Sequence, residues 1–156
     1  MKAVMLILAG LWLLPASAAD LALETMEGKR FDLASSVKPL VLIFWRADCA
    51  PCLIELRQAK DYLSAAPPGR VLFVGLQERA ALRASAEKAR LPAAQVVRAT
   101  AAPEAVLTAF GGSPPALPLA VALDKDGAIC ARHSGLLGTE LMRQWVLTCG
   151  DDHAGD

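Results

Sequence analysis

Aromatic side chains are scarce, 5% of the chain, and neither sign of charge is in excess, with 16 Lys and Arg against 16 Asp and Glu. A nucleic-acid surface needs clustered cations interleaved with stacking rings, so no nucleic-acid partner is expected. There are two histidines, no His-rich tract and no second C-x-x-C. The four ligands of a structural zinc site are therefore missing at any familiar spacing. No internal repeat or low-complexity linker interrupts the chain. Past the first 14 residues no apolar run approaches the roughly 20 needed to cross a bilayer. What is present is 156 residues, 54% of them hydrophobic. That suits one domain with a real core and excludes collagen-like, coiled-coil and disordered classes.

Met1-Lys2 is a short positive start, Ala3 to Leu14 an apolar run, and Pro15 is followed by the small residues Ala16-Ser17-Ala18-Ala19. This is the three-part pattern of a secretory signal, with cleavage expected after Ala18 or Ala19. An uncleaved anchor helix is the alternative, but the run is too short to span. No cysteine stands at the cleavage site, which argues against a lipid anchor. The expected organisation is a signal peptide over 1–19, one domain over 20–150 and a polar tail over 151–156. The mature chain is expected to be periplasmic or otherwise exported, not membrane-spanning, and in a compartment where disulfides persist.

Leu21 to Glu24 and Lys29 to Leu33 read as a short strand pair around Glu27-Gly28. Leu40 to Trp45 is continuously apolar, the pattern of a central strand buried on both faces. A helix is expected from Pro51 to about Ala65, with Cys52, Leu56, Ala59 and Leu63 on one face. Val71 to Leu76 reads as a second buried strand and Glu78 to Arg90 as a second helix, whose Arg79, Arg83, Lys88 and Arg90 look like a solvated face. Gln95 to Arg98 is a short strand, Pro103 to Phe110 a short helix and Gly111 to Pro115 a loop. Leu119 to Leu123 and Ala128 to His133 form a hairpin around Asp124-Lys125-Asp126-Gly127, and Thr139 to Cys149 a closing helix. A strand–helix–strand crossover followed by a hairpin and a last helix specifies an α/β fold, a central mixed sheet flanked by helices.

Cys49-Ala50-Pro51-Cys52 follows the central strand and opens a helix. Unsatisfied N–H groups at a helix start favour a thiolate, so Cys49 reads as the attacking sulfur and Cys52, one turn in, as the resolving one. The same pair could be a structural disulfide or half a metal site. Its place within a strand–helix–strand unit favours redox exchange.

Phe44-Trp45-Arg46-Ala47-Asp48-Cys49-Ala50-Pro51-Cys52-Leu53-Ile54-Glu55 resembles the active-site segment of the thioredoxin superfamily, in particular its exported TlpA/ResA-like branch. The leading Leu21–Leu33 segment resembles that branch's N-terminal β-hairpin extension. Leu117-Pro118 resembles the superfamily's cis-proline. The resemblance implies a thioredoxin fold and thiol–disulfide exchange carried by the Cys49–Cys52 disulfide itself, with no separate cofactor and no metal. It implies client protein disulfides as substrates, apocytochrome c or copper-site proteins among them, and a transmembrane thiol reductant as electron donor. By the same resemblance Cys49, Cys52, Glu55 and Pro118 are the catalytic set, and Trp45, Asp48, Ala50, Pro51 and Leu117 face the client, Trp45 doubling as core.

Three positions depart from the pattern. Asp48 stands where tryptophan is usual, and a carboxylate there opposes the Cys49 thiolate unless Arg46 offsets it. Ile43 occupies the place of the strand carboxylate of cytoplasmic thioredoxins. Leu119, not threonine, follows the proline. Glu55 reads either as a half-buried carboxyl that moves the Cys52 proton or as a solvated helix residue. Pro114 and Pro115 compete with Pro118, which alone leads directly into a strand. Cys130 and Cys149 lie outside the family pattern. A helix running back along the return strand brings them together, so a structural bridge is expected, against two buried thiols or a second redox pair. His133 and His153 have no ligand cluster around them. The leading expectation is thus an exported oxidoreductase acting as a reductant. A Cu(I) or apoprotein-binding module using the two thiolates and a fold kept only for interaction are the alternatives.

Overall fold

The computed structural model describes residues 21–111 and 116–150. The expected signal segment, the loop residues Gly112 to Pro115 and the tail lie outside the described residues.

Leu40–Trp45 forms β3, wholly buried as its unbroken apolar run requires. Its alternate side chains serve two cores: Val41, Ile43 and Trp45 face one, and Leu40, Leu42 and Phe44 the other. The helix after it is two helices, α1 (Ala50–Arg57) and α2 (Ala59–Ala65), with Gln58 between them. Apolar spacing runs on through Gln58, so periodicity alone predicted one helix. The chain then crosses to β4 (Val71–Gly75), parallel to β3. Next come α3 (Arg79–Lys88), a single 3-10 turn (Ala93–Gln95), β5 (Val96–Ala99) and α4 (Pro103–Gly111). Gly111, expected in a loop, ends α4. The hairpin β6 (Leu119–Leu123) and β7 (Ile129–Ser134) leads to α5 (Thr139–Thr148). Asp124 shapes its turn, one carboxylate oxygen accepting the N–H groups of Asp126 and Ala128, both at 2.9 Å.

β1 (Leu23–Thr25) and β2 (Arg30–Phe31) form the leading hairpin, each shorter than expected. The seven strands run in the order β2-β1-β5-β4-β3-β6-β7. Strands β3, β4 and β5 are parallel; β1, β6 and β7 are antiparallel to their neighbours. Helices α1, α2, α3 and α5 bury their apolar residues on one face, and α4 packs on the other through Val106, Leu107 and Phe110. The Phe44 and Phe110 rings meet there at 5.1 Å.

The arginines of α3 correct the sequence reading. Arg79 donates to Glu24 Oε1 at 2.6 Å, Arg98 donates to the same oxygen at 2.9 Å, and Arg83 donates to the Met26 carbonyl at 2.7 Å. These charges clamp the leading hairpin to the sheet. Hydrogen bonds from Arg79 and then Arg98 hold the Glu24 carboxyl below the usual carboxylate range. Among the described residues no helix is long and apolar enough to cross a membrane.

Candidate active site

The parallel strand β3 ends at Trp45 and delivers the chain to the start of α1. Cys49 is the residue that caps α1: its backbone is extended and its Sγ accepts the N–H of Cys52 at 3.2 Å. Pro51 sits in the first turn, where its missing N–H is no loss. The Cys49 sulfur is therefore the acceptor that the helix start would otherwise lack, the placement that favours negative charge on it. Cys49 is half-buried, while Cys52 has no solvent exposure. The two are joined as a disulfide with Cα atoms 5.2 Å apart. One cysteine of the pair thus has surface open to solvent and its partner has none. Ala50 and Pro51 are exposed beside them.

The loop before Cys49 is tied from two sides. Arg46 donates Nε to Asp48 Oδ1 and Nη2 to Asp48 Oδ2, both at 2.8 Å. This is a two-point pair of the kind guanidinium geometry favours. It holds the Asp48 carboxyl below its ordinary range. The charge that Asp48 brings to the rim is matched on the spot. Gln77, which no sequence signal singled out, accepts the Ala47 N–H through Oε1 at 2.8 Å, and its carbonyl accepts from Arg98. The hairpin clamp and the active-site loop thus share one chain of hydrogen bonds, from Glu24 through Arg98 and Gln77 to Ala47.

Among the described residues Glu55 is the charged residue that is buried, with no exposed surface. The solvated-helix reading of it is therefore wrong. One turn beyond Cys52, it lies on the same side of α1. Its Oε1 accepts the Tyr62 hydroxyl at 2.9 Å, and both carboxylate oxygens accept the Leu137 N–H at 3.2 Å. Burial pushes the carboxyl up from its ordinary value, and these donors together with the charge of His133 partly restrain it. A carboxyl held higher than usual one turn from a buried cysteine is equipped to exchange a proton once that cysteine is reduced.

Pro118 lies where β6 begins. Leu119 pairs with Phe44, so the proline enters the sheet at the end of β3 that leads to Cys49. The Leu117–Pro118 bond is cis, as is Lys38–Pro39. The Pro118 carbonyl accepts the Gly135 N–H at 2.9 Å. Leu117 is half-buried at this rim. Pro114 and Pro115 fall outside the described residues. Trp45 requires a correction: it has no exposed surface and packs with Cys52, Tyr62 and Met142 in the core, so it supports the site from beneath and offers no face to a client.

Cys130 and Cys149 are bridged, with Cα atoms 5.9 Å apart, joining β7 to the residue after α5. His133 donates its Nε2–H to the Leu136 carbonyl at 3.1 Å. Among the described residues no group of three or more His, Cys, Asp or Glu is placed to hold a metal ion.

No protein-family model and no curated protein matches the sequence. Solved structures do match. A secreted Mycobacterium tuberculosis disulfide oxidoreductase, described as homologous to E. coli DsbE, is 24% identical, with a TM-score of 0.62 over 83% of this chain and 95% of its own. StoA from Bacillus subtilis is 20% identical, with a TM-score of 0.61 over 85% and 97%. A thioredoxin-related protein from Neisseria meningitidis serogroup B is 20% identical, with a TM-score of 0.66 over 81% and 97%. With its strand order, its hairpin-led sheet and its cysteine pair at the start of α1, this chain has the thioredoxin fold.

Proposed function

We propose that this protein is an exported thiol–disulfide oxidoreductase that reduces disulfides of client proteins. The observation that carries the reading is the unequal exposure of the two cysteines: Cys49 half-buried where it caps the helix, Cys52 sealed behind it one turn from a buried carboxyl.

In the reduced protein the Cys49 thiolate attacks one sulfur of the client disulfide. That S–S bond breaks, a mixed disulfide forms, and the departing client sulfur leaves as a thiolate that takes a proton from water. Cys52 then passes its proton to the Glu55 carboxylate and attacks Cys49 Sγ. The mixed disulfide breaks, the second client sulfur leaves, and the internal disulfide seen here is formed. Two electrons have moved to the client. A transmembrane thiol reductant would restore the dithiol.

Export is supported by the N-terminal signal pattern and by the Cys130–Cys149 bridge, which suits an oxidising compartment. The Ala-Pro pair between the cysteines, without histidine, favours a reducing role. Apocytochrome c and copper-site proteins are the clients we propose.

The reduction potential of the Cys49–Cys52 couple, measured with insulin reduction and client trapping by Cys52→Ser, tests the reading. Insulin reduction and stable mixed disulfides with exported proteins are expected. A potential near or above about −120 mV, the range of a strong oxidant, would overturn the reductant assignment. Stoichiometric Cu(I) binding lost in Cys49→Ser, with no insulin reduction, would instead identify a copper-binding module.

A further inference from the structure

Behind the disulfide a second polar group is sealed into the core. Tyr62 is fully buried on α2, and its hydroxyl is surrounded: it donates to Glu55 Oε1 at 2.9 Å, accepts the Gly138 N–H at 3.0 Å and lies 3.1 Å from the Gln58 side-chain amide. A phenol has one proton to give, so it cannot donate to both Glu55 and Gln58. Turning the Gln58 amide by half a rotation resolves the conflict at the hydroxyl: Tyr62 then accepts from Gln58 and Gly138, and its single proton goes to Glu55. Leu137, next to Gly138, donates its N–H to the same carboxylate. The break at Gln58 between α1 and α2 and the loop before α5 thus converge on the Tyr62–Glu55 pair.

We propose that Tyr62 is a positioning residue for the resolving half of the exchange: its hydroxyl holds the Glu55 carboxylate oriented and ionised so that it takes the proton of Cys52. The proposal rests on the reading of Glu55 under Proposed function. The groups that act on Glu55 are Tyr62 from α2, the Leu137 N–H and His133 of β7 through space; Asp61 is a further charge acting on Tyr62, and Cys52 stands three residues earlier on the same side of α1. Burial raises Glu55, and the tyrosine donor opposes that rise. Without the hydroxyl the carboxyl keeps its proton to higher pH, and less of it is ionised to take a proton at a given pH.

The test follows release of the second glutathione when the reduced protein meets oxidised glutathione, by rapid quench across about pH 5–9. Cys52→Ala, which stops at the mixed disulfide, gives the pH dependence of the first step alone. Tyr62→Phe is expected to slow the resolving step about three- to tenfold at pH 7, the worth of one buried hydrogen bond, and to move its pH midpoint upward. Tyr62 is the sole tyrosine of the chain. Biosynthetic 3-fluorotyrosine therefore enters only this site, where its more acidic hydroxyl is a stronger donor and should move the midpoint downward. Its fluorine resonance should titrate with Glu55 and stop doing so in Glu55→Gln. This second measurement serves even if Tyr62→Phe folds poorly. An unchanged midpoint in both tyrosine forms, with the pH limb lost in Glu55→Gln, would overturn the role of Tyr62 alone. A limb that survives Glu55→Gln would overturn the proton-acceptor reading of Glu55, and Tyr62's role with it.

Discussion

Asp48 and Arg46 illustrate how much one neighbour decides at the scale of single residues. A carboxylate next to Cys49 opposes the thiolate, but the two-point pair with Arg46 cancels most of that field. Because both side chains are partly solvated, the expected effects are modest. Arg46→Ala should slow iodoacetamide alkylation of reduced Cys49 at pH 7 about two- to fivefold, and adding Asp48→Ala should restore it. Glu55 gives a prediction of opposite kind. Its carboxyl is raised by burial, so the folded protein binds the proton more tightly than the unfolded chain. Its contribution to stability is then fully present below the ordinary carboxylate value of 4.5 and is lost as pH rises from there through the raised native value. Urea melts of the oxidised protein should show this decline, and Glu55→Gln should flatten it. The cysteines and Pro51 were legible because their roles depend on immediate neighbours. Glu55 was not decidable, since its burial depends on Leu137, 82 residues away. Tyr62 was missed altogether. Its one signal was a polar-tipped ring seven residues after an acid, among residues packed as core.

At the scale of elements, apolar pattern identified the central strands and the helices around them, and the leading hairpin in outline. Pattern fared worse where long-range polar contacts decide. The arginines of α3 looked solvated because their partners, Glu24 and the Met26 carbonyl, lie 55 and 57 residues back. The division at Gln58 was invisible because apolar spacing continues across it. Packing of α3 on the sheet supplies a further prediction. Gly75 closes β4 opposite Trp45, and a β-carbon there would be driven into the buried Leu82 side chain. Gly75→Ala should cost about 1–3 kcal/mol in chemical unfolding, as overpacking a closed core does. Leu82→Val in the same chain should return part of it.

For the whole molecule, two disulfides share one domain but differ in setting. Cys49–Cys52 sits at a helix mouth with one cysteine half-buried and the other sealed, whereas Cys130–Cys149 closes a span of 19 residues between β7 and the end of α5. The bridge was foreseeable from helix and strand direction, and the side chains that clamp the hairpin were not. Changing both Cys130 and Cys149 to serine should lower stability by about 3 kcal/mol on the chain-entropy argument and leave the exchange rate at Cys49 unaltered. Differential scanning calorimetry beside an insulin assay checks both. The arrangement of strands also bears on self-association. A sheet margin with open amides can recruit a foreign chain. Here one margin is the two-residue β2, too short to template anything, and the other is the six-residue β7. Among the described residues fibril-type growth on this fold has a single flank on which to start, and Arg132 stands exposed along it as a cationic guard.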